Sequence, residues 1–388
     1  MSASNMAAPS TTQTMVRGSL AEIAKEFLRL GFVAFGGPPV HFAMMEERFV
    51  RNKKWLSRER FLDLIGAVSL LPGPSSTELT IYLGELRGGI AGLISAGAGF
   101  ILPAAVMVAG LAWAYQRFGK LPQVEGLLFG IKPVVVALIV PALWNLGKVA
   151  LKRVGLAMLA IAVVVLAALG FNVITLLICG GIFWMIVREV RNLTRAKHSA
   201  ILALLPLGGS GSVGLTALLL YFLKIGAVVF GSGYVLLAVL RADLVVRLHW
   251  LTDAQLLDAI AVSQATPGPF FTVSTFIGYL LGGWKGAALA TLGMFLPAFI
   301  FVAVTARFLP RLRRSPLAGA FLDGVNAAAV ALMGFVAWQF ARAALVSIPA
   351  IVLALASLFL IFRYKVNSAW LVLGGGVAGM LIRLFVRA

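Results

Sequence analysis

The sequence is poor in charge, in cysteine and in histidine. Only 12% of its 388 residues are charged, about half the share of a typical soluble domain, which excludes an ordinary soluble enzyme or a disordered tail protein. The single cysteine, Cys179, excludes an internal disulfide and a redox pair. Three scattered histidines, His41, His198 and His249, leave no His/Cys set for a metal. We therefore expect neither a metal nor a cofactor.

Apolar residues fill the chain instead. They make up 61% of it, the mean hydropathy is +0.98, and the apolar blocks over 154–187 and 346–383 are long enough to cross a bilayer. The net charge of +19 comes from basic clusters between such blocks, where Lys and Arg fix topology by the positive-inside rule. These features predict an all-α polytopic membrane protein in contact with lipid, and not a nucleic-acid-binding protein.

The chain contains a repeat, which is visible as residues that recur at a nearly constant shift. The pairs at a shift of 195 are Trp55 with Trp250, Asp63 with Asp258, and Pro72-Gly73-Pro74 with Pro267-Gly268-Pro269. The pairs at a shift of 194 include Gly130 with Gly324 and Trp144 with Trp338. We predict a disordered tail over 1–18, a first membrane repeat over 19–195, a linker rich in glycine and serine over 196–212, and a second repeat over 213–388.

Each repeat has five apolar stretches of spanning length and one stretch that is interrupted. The candidate spans are 20–40, 90–116, 126–147, 154–170 and 171–187, and then 213–235, 286–306, 325–342, 346–362 and 367–383. The interrupted stretches, 61–86 and 256–282, are broken by Pro-Gly-Pro. Each arm of about a dozen residues is about 18 Å long, shorter than ~30 Å of hydrocarbon. We predict a re-entrant hairpin in each repeat, with its break buried or lining a cavity.

An odd number of crossings would turn the second repeat upside down, and the loop charges agree with this. Loop 46–60 has six Lys or Arg and its partner 241–255 has two, whereas loop 117–124 has two and its partner 307–323 has four. The bias swaps between the repeats, which predicts inverted-topology repeats with a site near the midplane. The first segment fits less well, so an interfacial helix with a second break at 35–39 is the alternative there.

The Pro-Gly-Pro breaks are the strongest candidate site. Proline suits a first helical position, and a helix start inside a membrane offers unpaired N–H groups and about half a positive charge to an oxyanion. The predicted ligands beside the breaks are Gly73, Ser75, Ser76 and Thr77 in repeat one, and Gly268 and Thr272 in repeat two. Two such starts that meet at a pseudo-twofold axis would hold a tetrahedral dianion. The alternative is a pair of broken helices packed for shape.

Basic residues recur at one place in both repeats. Arg29 and Lys224 occupy matched positions inside apolar runs, where a charge is costly and is a functional candidate. We predict both as anion ligands, although either side chain could instead extend to the membrane surface. Lys132 is a second-tier candidate because its matched position holds Asn326. Its alternative role is that of a topological anchor.

Acidic residues inside the apolar segments are few. Glu78 follows the first break and is matched by Val273. Because desolvation favours the neutral form of a buried carboxyl group, we predict that Glu78 couples transport to protons, without committing to a stoichiometry. Its alternative is a helix-start carboxylate. Asp63 and Asp258 are second-tier candidates, since they lie just past the predicted helix starts at Ser57 and Thr252, where carboxylates are more often structural.

These motifs together resemble the chromate ion transporter family in its long, two-domain bacterial form. The resemblance is carried by Phe35-Gly36-Gly37-Pro38, Leu70-Leu71-Pro72-Gly73-Pro74-Ser75-Ser76-Thr77-Glu78, Phe100-Ile101-Leu102-Pro103, Phe230-Gly231-Ser232-Gly233-Tyr234 and Thr266-Pro267-Gly268-Pro269. It implies an inner-membrane protein that expels chromate with the proton-motive force, with sulfate as competitor or alternative substrate. Repeat two lacks a counterpart of Glu78, so the resemblance leaves open whether both halves bind equally.

The sequence leaves other functions open. A passive oxyanion channel would share the helix-start site but would need no titratable carboxyl group, and a sulfate permease would share the substrate shape. An enzyme is disfavoured, because the sequence has no cysteine pair, no haem-ligand spacing and no nucleotide-binding glycine loop. The oligomeric state is open, a homodimer included.

Overall fold

A computed structural model describes residues 18–119, 121–192, 214–229, 235–305, 316–364 and 366–386. The predicted tail over 1–18 lies outside these residues except for Gly18. The predicted linker over 196–212, the motif over 230–234 and the basic segment over 307–314 lie outside them entirely. Every regular element within them is helical. The all-α prediction is therefore confirmed for the described part of the chain.

The two repeats have the same order of elements. Repeat one contains α1 (Leu20–Val33), α2 (Pro38–Met45) with a π-helical extension (Glu46–Asn52), α3 (Arg58–Val68), α4 (Ser75–Phe118), α5 (Pro122–Ala150), α6 (Val154–Ala168) and α7 (Val173–Asn192). Repeat two contains α8 (Leu215–Val228), α9 (Val235–Leu240) with a π-helical extension (Arg241–Arg247), α10 (Asp253–Ala265), a 3-10 turn (Phe270–Thr272), α11 (Val273–Thr305), α12 (Pro316–Ala344), α13 (Ile348–Tyr364) and α14 (Ser368–Val386).

Helices α4 and α11 each reverse direction at a glycine pair. Gly89 has φ 60° and ψ −150°, and Gly283 has the same angles, in a region that side chains other than glycine avoid. As a consequence Gly84 lies against Gly92, and Gly278 against Gly286, although eight residues separate the members of each pair. Each helix thus consists of a short arm before the glycine pair and a long arm after it.

The predicted hairpin at the first Pro-Gly-Pro is present. Its first arm, α3, begins just after Trp55, and its second arm, the short arm of α4, ends at Arg87. The Arg87 guanidinium lies 5.1 Å from the centre of the Trp55 ring. The two ends of the hairpin therefore meet on one side of the molecule, as the length of the arms predicts.

The first segment differs from the predicted span over 20–40. Helix α1 ends at a break, and α2 with its π-helical extension returns along it. The return is closed by Arg48, which donates two hydrogen bonds to Glu26 at 2.6 and 2.9 Å, and by Lys53, which donates to Glu22 at 3.0 Å. The segment is a second re-entrant hairpin, and the break is the one expected at 35–39.

Equivalent helices of the two repeats run antiparallel. A methyl group at Gly147 of α5 would lie 3.9 Å from Val330 of α12, and one at Gly334 of α12 would lie 3.7 Å from Leu143 of α5. Residue numbers rise along one helix as they fall along the other. An axis along the helices would make them parallel, so the pseudo-twofold axis is perpendicular to them. The repeats are therefore inverted, and this follows from the packing of α5 against α12 alone, whatever the number of crossings in each repeat.

The long helices suit a bilayer. Among the described residues, four helices are long and apolar enough to cross a membrane by length and composition: Ser75–Phe118, Gln123–Ala150, Phe270–Thr305 and Pro316–Ala344. The outward-facing side chains of these helices include the exposed Ile94, Trp144 and Ile300, which match the lipid environment of a multi-pass membrane protein.

Candidate functional site

The centre of the molecule is built on two reciprocal hydrogen bonds between the repeats. The amide of Gly73, in the first Pro-Gly-Pro, donates to the carbonyl oxygen of Val229 at 2.8 Å, and the amide of Gly268 donates to the carbonyl oxygen of Ala34 at 2.8 Å. Ala34 and Val229 end α1 and α8 at matched positions. Each Pro-Gly-Pro turn of one repeat therefore contacts the first break of the other repeat.

One cavity of about 460 Å³ lies beside this centre. Its lining combines the first break (Gly37, Pro38, Pro39), the Pro-Gly-Pro hairpin (Ser69, Leu71, Ser75), helix α5 (Leu138, Pro141, Asn145) and Asn326 of repeat two. At about 30 Å³ for each water, the space holds a small oxyanion together with part of its water.

Two helix N-termini line this cavity. Helix α2 begins at Pro38 after Gly37, helix α4 begins at Ser75 after Pro74, and neither start has a side-chain cap. At α4 the amides of Ser75 and Ser76 have no partner within the helix, whereas the first two residues of α2 are prolines without an N–H and the amides of Val40 and His41 donate to the carbonyl oxygen of Gly37. The start of α4 thus offers N–H donors, and both starts offer the partial positive charge of a helix dipole, which favours an anion.

The polar side chains of the cavity are neutral. They are Ser69, Ser75, Asn145 and Asn326. Asn326 was noted in the sequence only as the residue matched with Lys132, and Asn145 gave no signal, because the sequence does not reveal the side to which an asparagine in an apolar helix points. Amide groups donate two hydrogen bonds without bringing a charge, so they suit recognition of an anion that must also leave.

The predicted residues after the first break have different surroundings. Ser75 lines the cavity, whereas Ser76 is 4% exposed and Thr77 is fully buried. The hydroxyl of Thr77 and both carboxyl oxygens of Glu78 are buried without a hydrogen-bond partner among the described residues. Glu78 contacts the turn directly, since a methyl group at Gly73 would lie 2.7 Å from its Oε1.

At the second break the hydroxyl groups bond to the backbone of the break itself. Thr272 donates its hydroxyl to the carbonyl oxygen of Pro269 at 2.9 Å, and Ser274 donates to Phe271 at 2.8 Å. Gly268 packs against Ala104 of the long arm of α4. The structure thus joins each Pro-Gly-Pro turn to the end of the first helix of the other repeat, and it does not bring Thr272 into the cavity that Ser75 lines.

The matched cations Arg29 and Lys224 lie on the first hairpins of their repeats. Arg29 is exposed and lines a separate cavity of about 430 Å³ with Glu47 and Arg48. Lys224 is half-buried and acts electrostatically on Asp243, which also pairs with Arg247 at 3.0 Å. Neither cation is among the residues that line the cavity beside Ser75.

The second-tier residues separate into two groups. Lys132 lies 3.4 Å from Oδ1 of the buried Asp258, and Tyr115 donates its hydroxyl to Oδ2 of Asp258 at 3.0 Å. Asp63, which matches Asp258, is exposed. Within the described ranges, no group of three or more His, Cys, Asp or Glu side chains could hold a metal ion.

A buried histidine, one of the three that are scattered along the sequence, belongs to the same centre. His41, in the first turn of α2, is 1% exposed and places Nε2 3.1 Å from the Ala34 carbonyl oxygen that also receives the amide of Gly268. Its ring meets Phe100 edge-on at 5.5 Å. The first break is therefore held by a side chain as well as by the other repeat.

Comparisons with known proteins agree with the duplicated architecture. A family model described as chromate transporter matches residues 21–185 and 216–380, two stretches that begin 195 residues apart. The chain is 31% identical over 379 residues to the chromate transport protein of Cupriavidus metallidurans, covering 94% of this chain and 93% of the relative. It is 32% identical over 388 residues to the chromate transport protein of Pseudomonas aeruginosa, with coverages of 94% and 92%. It is 28% identical over 378 residues to a probable chromate transport protein of Synechococcus elongatus, with coverages of 94% and 95%. No solved structure matches the chain.

Proposed function

The chain belongs to the chromate transporter family, which is a family of transporters and not of enzymes, and on that premise we propose that it exports chromate across the bacterial inner membrane. We further propose that the proton-motive force drives export and that sulfate, which has the same tetrahedral shape and charge, competes. The substrate is suggested by the names of the relatives.

The observation that carries this proposal is the cavity between the breaks. It joins two uncapped helix starts of repeat one, at Pro38 and Ser75, to Asn326 of repeat two. Binding of an anion there would draw on elements of both repeats, which is the arrangement that alternating access between inverted repeats requires. Ser75 and Asn326 are the proposed side-chain ligands, together with the amides at the start of α4.

Proton coupling is proposed for Glu78. Its carboxyl group is buried beside Gly73, three residues after Ser75, and a charge there would repel a dianion in the cavity. At an effective dielectric of 20, two unit charges 4 Å apart interact by about 4 kcal/mol. Protonation would remove that repulsion, so proton and anion occupancy are linked. A dianion that leaves with one proton still carries net negative charge outward, so the electrical part of the proton-motive force, inside negative, is the part that drives this export.

Transport into inverted membrane vesicles tests the function. Uptake of chromate, sulfate, molybdate and phosphate is measured with and without a pH gradient. We expect chromate uptake that responds to the gradient and is inhibited by sulfate. Chromate flux that ignores the gradient would instead identify a passive oxyanion channel, and gradient-driven uptake of sulfate with little chromate would identify a sulfate permease.

A further inference from the structure

Three polar side chains that are not part of the cavity lining join the two repeats around the buried Asp258. Lys132 of α5 and Tyr115 of α4 come from repeat one, and Asp258 of α10 comes from repeat two. Lys132 Nζ lies 3.4 Å from Oδ1 of Asp258, and the Tyr115 hydroxyl lies 3.0 Å from Oδ2. Both carboxyl oxygens thus face repeat one.

Lys132 of this trio has a matched residue in repeat two. At the shift of 194, Lys132 matches Asn326, which lines the anion cavity described above. The inverted repeats place Lys132 at the corresponding position of the other half. The breaks of repeat one therefore have the neutral amide of Asn326 beside them. At the matched position beside repeat two lies Lys132, which is paired with the carboxylate of Asp258.

Stability alone does not explain such a pair. Burying an ion pair costs desolvation that the attraction between the charges often fails to offset, and a charge inside a membrane protein is a functional candidate. The Lys132 side chain keeps 24% of its surface exposed whereas that of Asp258 keeps 3%. The ammonium is the partner that a small ion can reach.

We propose that Lys132 is the cation of a second oxyanion site, which Asp258 keeps closed by occupying the lysine. This proposal rests on the proposed function, because it assumes that the chain binds oxyanions. A tetrahedral anion that reaches Lys132 has to displace the carboxylate. A proton from water that binds an oxygen of Asp258 removes the competing charge, so protonation opens the site and anion binding favours protonation.

Several ion pairs on the elements packed against α10 involve residues other than Asp258. Arg241, in the π-helical extension before α10, donates to both oxygens of Asp253, at 2.7 and 3.0 Å, and also to Gln339 of α12. On the other helices packed against α10, Arg383 of α14 pairs with Glu125 of α5 at 2.8 Å, and Asp323 of α12 pairs with Arg188 at 3.6 Å. Among the described residues, Lys132 and Tyr115 form the ion pair and the hydrogen bond of Asp258.

Variants with opposite expected effects test the site in the full-length purified protein. Binding of radiolabelled sulfate is measured from weakly acidic to neutral pH, because sulfate keeps its charge over that range, and chromate binding is measured at one fixed pH. We expect Lys132→Asn, which installs the residue found at the matched position, to lose the second site and to weaken binding about tenfold or more. We expect Asp258→Asn to increase the number of anions bound per chain and to abolish the pH dependence of that site.

Two further variants separate this role from a structural one. Lys132→Arg keeps the cation and should preserve binding. Tyr115→Phe removes a donor to the carboxylate and should shift the opening of the site toward higher pH. Arg383→Gln is the matched control, because it breaks another ion pair between the repeats and should leave binding unchanged.

The outcomes are separable. If Lys132→Asn and Asp258→Asn change anion binding in the same direction, or leave it unchanged in folded protein, the second site is refuted and the pair is structural. If neither the parent nor any variant binds chromate or sulfate, the proposed function itself fails.

Discussion

Gly73 and Glu78 are in direct contact at the first break: a methyl group on Gly73 would lie 2.7 Å from the Glu78 carboxyl oxygen Oε1. Gly73 also has φ +130° and donates its amide to Val229 of the other repeat. One glycine therefore sets the backbone of the turn, the contact between the repeats and the position of the buried carboxyl group.

Gly73→Ala should destabilise the protein by about 2 kcal/mol or more, because backbone strain at a glycine-only conformation costs about 1–3 kcal/mol and the new methyl group meets Glu78. Thermal unfolding of the purified protein measures this. Gly170→Ala is the matched control, since Gly170 also has positive φ (+89°) but has open space around its Cβ position. Equal losses for the two variants would show that the contact with Glu78 contributes nothing.

The duplication and the broken helices could be predicted because prolines and glycines impose the same backbone at a fixed shift. The path of the first segment was harder to predict. Residues 20–33 are apolar and helical whether the chain crosses the membrane or turns back, and the turn is closed by contacts such as Arg48–Glu26, between residues 22 positions apart. Such ion pairs form only after the chain has turned back, so the sequence alone does not reveal which residues will pair.

The candidate site could be predicted only in part. The helix start at Ser75 follows from local sequence, because proline and glycine end one helix and begin the next. Asn326 joins the cavity from the other repeat, and the inverted packing that brings it there is a property of the whole chain. The matched basic residues in the sequence predict charged ligands such as Lys224, whereas the polar side chains that line the described cavity are neutral.

The inversion of the repeats predicts opposite accessibility for matched residues. Arg51 and Val246, at a shift of 195, are both exposed on the π-helical extensions. In a Cys179→Ser background, Arg51→Cys and Val246→Cys should react with a membrane-impermeant maleimide from opposite sides of the membrane. Labelling of intact cells, compared with labelling of inverted vesicles, measures this. Reaction of both cysteines from the same side would contradict the inverted arrangement.

The lining of the cavity predicts which residues matter for binding. Asn326→Ala should weaken chromate binding by about 1.5–3 kcal/mol if its amide donates to the charged ligand. The matched position of Lys224 in the sequence predicts a similar loss for Lys224→Ala, whereas its absence from the cavity lining predicts little change. Chromate binding to the two purified variants separates these expectations. A large loss in Lys224→Ala together with normal binding in Asn326→Ala would place the ligand elsewhere.

Glu78 gives the prediction with the clearest sign. An ionised carboxyl group beside the turn repels a bound dianion, so anion affinity should rise as pH falls and Glu78 gains a proton. Glu78→Gln has nearly the same shape and stays neutral. It should therefore bind anion well at every pH and lose the response of transport to a pH gradient, as measured by chromate uptake into inverted vesicles.

The control for Glu78→Gln is Glu125→Gln, which removes a carboxylate that is paired with Arg383 between the repeats and lies outside the cavity lining. It should keep the gradient response of the parent. If Glu78→Gln vesicles also respond to the gradient as the parent does, Glu78 is a structural carboxyl group at a helix start, because a group that carries the coupled proton cannot be replaced by a neutral amide without loss of coupling.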